Sequence, residues 1–108
     1  MKTNFRVRDR QYHVEISLSG RPEGEKFDFY RVSVAGQKGG PVQGTLKLTE
    51  NAIASATERA SKDGGSAEDW VAHGCGRALA SEVLIRELRP DFSFVVDHRW
   101  VEESPPES

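Results

Sequence analysis

The chain has one cysteine, Cys75, and no run of apolar residues longer than three. A single thiol excludes a disulfide-stapled scaffold and a cysteine-built zinc cluster. Apolar runs that short leave no segment able to cross a bilayer as a helix, which needs about 20 mostly apolar residues. The start, Met1-Lys2-Thr3-Asn4-Phe5-Arg6, lacks the apolar core of a secretory signal, so a cytoplasmic protein is expected. Histidines are scarce and scattered at 13, 73 and 98, with no HxH, HxxxH or CxxC spacing, so neither a metal nor a cofactor is expected. A basic excess is missing too. The 15 Lys and Arg against 17 Asp and Glu leave a net charge of −2, which argues against a general polyanion binder.

What is present suits one modest core. With 108 residues, 36% hydrophobic and 30% charged, the chain can support one sheet with helices on it, but not two domains. Residues 1–101 are expected to form that domain. Residues 102–108, acidic and carrying two prolines, read as a disordered tail.

Charge is distributed unevenly. Lys2, Arg6, Arg8 and Arg10 against Asp9 give the first ten residues a local +3. Asp97, Glu102, Glu103 and Glu107 against Arg99 give the last twelve a local −3. Such ends can neutralise one another within a screening length of about 8–10 Å, or the basic edge can meet an anionic partner.

Apolar residues alternate at Tyr12, Val14, Ile16 and Leu18, the period of a half-buried strand. Phe5 and Val7 alternate before them, and Asp9-Arg10 marks either a tight turn or a bulge in one long strand. After a loop at 20–26, a second strand runs from Phe27 to Ala35. Its Tyr30, Val32 and Val34 share one face, with Phe27, Phe29, Arg31 and Ser33 opposite. A glycine-rich connection at 36–41 leads to a third strand through Val42, Gly44, Leu46 and Leu48, completing an antiparallel meander.

A first helix opens at Thr49-Glu50-Asn51 and stops at Asp63-Gly64-Gly65. Its alanine-rich face makes it the least firmly held element, unless it packs very close to a neighbour. Ser66 and Asp69 form a capping-box start for a second helix, expected to reach Leu88 or Arg89 before Pro90. Its broad apolar arc includes Val83, Leu84, Ile85 and Leu88, so it reads as the central helix. Gly74 and Gly76 within it call for close approach by another backbone. The apolar run Phe92–Val96 reads as a last strand, central or at an edge, able to pair beside the first. The order β-β-β-α-α-β, an antiparallel sheet with two helices on one face, is α+β.

Chemistry has few candidates. His73 and Cys75 lie two apart on a helix, so their side chains diverge, and Cys75 reads as a small buried hydrophobe. The glycine loops lead into strands and are not phosphate loops. His73 and Arg77, at i and i+4 on the polar strip of the central helix, are the choice for an active site assembled from distant residues, though solvent exposure explains them as simply. The richest feature is the basic edge. On an extended segment Arg6, Arg8 and Arg10 fall on one face, with Phe27, Phe29 and Trp100 as exposed sheet aromatics. A charged first strand also guards an exposed edge against aggregation. Two functional expectations follow. The first is a small non-enzymatic interaction or regulatory domain that binds a protein partner or a second copy of itself. The second is a nucleic-acid-binding module in which Arg6, Arg8, Arg10 and Lys47 meet phosphates and the same aromatics stack bases.

Overall fold

A computed structural model describes residues 1–37 and 39–102. The elements are β1 (Lys2–Val7), β2 (Arg10–Gly20), β3 (Asp28–Ala35), β4 (Val42–Leu48), α1 (Glu50–Asp63), α2 (Ala67–Ile85), β5 (Phe92–Val96) and α3 (His98–Glu102). The fold is α+β. Its sheet runs in the order β1-β2-β3-β4-β5, an antiparallel meander with β5 added parallel to β4.

The alternation read from the sequence sets which face is buried. Tyr12, Val14 and Ile16 of β2, Tyr30, Val32 and Val34 of β3, and Leu46 and Leu48 of β4 point into the core. There they meet Ala52 and Ala56 of α1 and Val71, Cys75, Ala78 and Leu79 of α2. The opposite face carries no helix among the described residues; it is mostly polar and exposed, as at Gln11, His13, Glu15 and Arg31, with Phe29 and Val95 among its apolar members. Burying each large aliphatic chain contributes about 1.5–3 kcal/mol, so sheet and helices hold together mainly through this face.

Caps fix both long helices. Thr49 accepts a hydrogen bond from the Ala52 N–H at 3.1 Å, and Gly64, at φ 87°, ends α1. Ser66 and Asp69 exchange the two bonds of a capping box at the start of α2. Helix α2 ends at Ile85, earlier than the sequence pattern predicts. Arg86 turns extended, and Leu88 leaves the helical line because the buried Gln37 side chain takes both its main-chain groups. Gln37 accepts from the Leu88 N–H at 2.7 Å and donates to its carbonyl at 3.1 Å, imitating a strand neighbour. Leu84 and Ile85 therefore project past the core, at 56% and 71% exposure, instead of extending a buried arc.

Two glycines permit close packing. A Cβ on Gly44 would lie 2.5 Å from the Phe92 ring and carbonyl, so its absence lets β5 settle on β4. A Cβ on Gly74 would lie 2.8 Å from Val101 and 3.6 Å from the main chain of Trp100, which lets α3 approach α2. Gly76 differs from expectation: it faces the Thr3 side chain at 3.4 Å, an ordinary contact with no backbone behind it. Helix α1 packs against α2 and α3, and its small buried residues Ala52, Ser55 and Ala56 suit that close fit.

Of the two readings offered near residues 9–10 the tight turn holds, one residue earlier: β1 and β2 are separate strands joined by Arg8-Asp9. Other expectations are corrected. The last strand is an edge beside β4 and does not pair with the first, because an apolar run carries no information about its neighbour. The segment after it is helical, since Asp97 accepts from the Arg99 N–H at 3.0 Å and caps a short turn. Glu102, placed in the tail by composition, is the last residue of α3; residues 103–108 lie outside the described residues.

A candidate docking groove at the β1 edge

The chain turns from β1 to β2 over two residues. Val7 pairs with Arg10, and Arg8 sits at φ 57°. A positive φ in a two-residue hairpin matches the right-handed twist of the strands, but glycine is the residue that adopts it without strain. An arginine here costs about 1–2 kcal/mol. The turn also breaks the expected linear row: Arg6 lies on β1, Arg8 in the turn, and Arg10 on β2. The three cluster around one end of the sheet and do not line one strand face.

Strand β1 is an edge, and its hydrogen-bonding phase is fixed at its start. Met1 and Ile16 exchange both main-chain bonds, each 2.8 Å. In an antiparallel pair such exchanges recur at every second residue, so Thr3, Phe5 and Val7 face β2. The N–H and C=O groups of Lys2, Asn4 and Arg6 therefore point away from the sheet. Their side chains lie on the open face and are exposed.

Beside this edge runs a groove of about 510 Å³. Arg6, Val7 and Arg8 line one side; Arg77, Ala80, Ser81 and Leu84 of α2 line the other, with Trp100 of α3 beside them. Four residues singled out in the sequence, Arg6, Arg8, Arg77 and Trp100, thus meet in one place. Arg8 and Arg10 also border a second hollow, with Val7, Tyr12, Val83, Asp9 and Glu87. Arg6, Arg8 and Arg10 form no ion pair among the described residues, whereas Lys2 lies 3.8 Å from Glu15. The described acids near the C-terminus are engaged elsewhere. Asp97 takes 2.9 Å contacts from Arg99, whose hydrogen bonding holds the carboxyl below the usual carboxylate range. Glu102 accepts from Ser55 at 2.9 Å.

The three aromatics expected on the exposed sheet do not gather on one surface. Trp100 belongs to the helix layer, whereas Phe29 lies on the open face of the sheet under Lys47, 5.3 Å from ring to ammonium. Phe27 precedes β3 and lines none of the grooves described here. His73 packs edge-on against Trp70, ring centroids 5.6 Å apart, and is half-buried, as is Arg77. Cys75 is fully buried, and burial pushes its thiol up to about 12, so no thiolate forms at neutral pH. Among the described residues no three His, Cys, Asp or Glu side chains gather as metal ligands. Nor, among the described residues, is any helix long and apolar enough to cross a membrane.

Sequence reasoning missed three contributors. Leu84 belongs by pattern to the apolar arc of α2, Ala80 lies beside its polar strip with no signal of its own, and the alternation of β1 does not mark its outward main-chain groups. The last follow from strand order, which one sequence does not display. Neither family models, nor curated proteins, nor solved structures give a match to this chain.

Proposed function

We propose that the protein is a small non-enzymatic interaction domain that docks a segment of another protein in the groove between β1 and α2. The observation that carries this reading is the β1 edge, which no described strand pairs on its outer side and whose main-chain groups at Lys2, Asn4 and Arg6 face outward beside a groove partly lined by Val7, Ala80, Leu84 and Trp100. Adding a strand to an exposed edge is a recurrent mode of peptide recognition: main-chain bonds give affinity and side-chain pockets give selectivity. Nucleic acid fits less well, because it cannot complete a peptide ladder and the candidate stacking rings Phe29 and Trp100 lie on different layers.

The test is a titration of the ¹⁵N-labelled protein with capped hexapeptides alternating valine with glutamate, threonine or lysine, and with an oligothymidylate. Shifts at residues 2–8, 77–84 and 100 with at least one peptide are expected. No response there to any peptide, or a response to the oligonucleotide alone, overturns the reading.

A further inference from the structure

Resting on the docking reading above, we infer that the occupant is an extended acidic segment of a partner protein, alternating carboxylate and apolar side chains, which adds to the sheet as a sixth strand against β1.

The main chain sets the form. Outward groups at Lys2, Asn4 and Arg6 recur at every second residue, so their complement is another extended polypeptide in register with them. The six residues of β1 span about 20 Å, room for a segment of five or six residues. The two sides of β1 then set the sequence. On the open face, alternate residues of an added strand lie beside the side chains of Lys2, Asn4 and Arg6, two of them cationic. On the helix side, the intervening residues meet Val7, Ala80, Leu84 and Trp100. Carboxylates fit the first set and aliphatic groups the second.

Arg8 strengthens the electrostatic side. It keeps a long cationic side chain at φ 57°, where glycine would be unstrained, and it borders both hollows at this end of the sheet. Together with Arg6 it offers two guanidiniums that no described acid pairs, a geometry matched to carboxylates.

The same charges disfavour a second copy. Two-fold pairing of β1 with itself about Asn4 would set Lys2 of each copy against Arg6 of the other, and like charges across adjacent strands repel. The chain's own acidic end is a poor strand, because Pro105 and Pro106 have no N–H to donate.

The test measures affinities of the three valine-alternating hexapeptides for the full chain, for a double Arg6→Glu/Arg8→Glu variant and for Arg8→Gly. The glutamate peptide is expected to bind the unaltered chain about tenfold or more tightly than the threonine peptide, and to weaken about tenfold between low and high salt. The double variant reverses the preference and takes the lysine peptide, which shows that it is folded. Arg8→Gly lowers affinity for the glutamate peptide without lowering the melting temperature. N-methylation of alternate residues in the glutamate peptide abolishes binding for one alternate set and spares the other. Equal binding of the glutamate and threonine peptides overturns the acidic occupant and leaves the docking reading standing. Tolerance of both methylation sets overturns the added strand. Silence of every peptide at residues 2–8 overturns both.

Discussion

The two edges of the sheet are built from similar parts to opposite effect. Beside β5 lies a groove of about 610 Å³ whose charges cancel: Arg86 and Arg89 against Glu82 and Glu87, with Arg86 3.3 Å from Glu82. Its Phe92 and Phe94 stack on one another at 5.4 Å, so their rings are already partnered. Beside β1 the groove is lined by Arg6 and Arg8, which no described acid pairs, and no carboxylate lines it among the described residues. An edge strand is a hazard because its free main-chain groups template association. The β5 edge is short and neutral in charge, whereas the β1 edge is longer and cationic. Cationic side chains repel an identical edge and attract an acidic one, so in the proposed docking the residues that discourage self-association are the ones that would select a partner.

If the edges are independent, the β5 side can be damaged without touching the β1 groove. The largest effect is expected from Gln37→Ala, which strands the buried N–H and C=O of Leu88 and costs about 3 kcal/mol. Urea unfolding measures the loss, and binding of the glutamate peptide by the remaining folded protein stays unchanged. Gly44→Ala follows at about 2–3 kcal/mol, because the new methyl group meets the Phe92 ring and carbonyl and lifts β5 from β4. It too leaves peptide affinity intact. Coupled loss of affinity in either variant would show that the edges are not separate.

Changes at α2 sharpen the comparison from the other side. Gly74→Ala drives a methyl group into Val101 and displaces α3, with Trp100, from the groove; a cost of about 1–2 kcal/mol is expected, with weaker peptide binding. Gly76→Ala, facing only Thr3 at 3.4 Å, gains up to about 1 kcal/mol from helix propensity and leaves binding alone. Thermal melts of the pair give opposite signs if the contacts are as described. The smallest expected change is Arg8→Gly. Relief of the positive φ and the added freedom of the unfolded chain nearly offset, so stability shifts by no more than about 1 kcal/mol, upward if at all.

Much of the fold was legible because its signals are local. Period-two alternation in β2, β3 and β4, the Thr49 cap, the Ser66–Asp69 box and the Gly64 stop each name an element without reference to the rest. What escaped depends on distant partners. The end of α2 is decided by Gln37, 51 residues away in sequence from Leu88, and no helical pattern contains that information. Helix α3 is too short for a periodic signal and announces itself only through Asp97. The arginines were visible as a basic cluster, but their arrangement depended on whether the chain turned at Arg8-Asp9. Trp100 was read on the sheet because the segment after Val96 was not recognised as a helix. It reaches the same site from the other layer.

Amide hydrogen exchange, with and without the glutamate peptide, tests the central claim most directly. In the free protein Thr3, Phe5 and Val7, bonded to β2, exchange slowly, while Asn4 and Arg6 exchange fast. Binding is expected to slow Asn4 and Arg6 and to leave residues 92–96 of β5 as they were. Protection at β5, or none at Asn4 and Arg6 in a saturated complex, would contradict strand addition at the β1 edge.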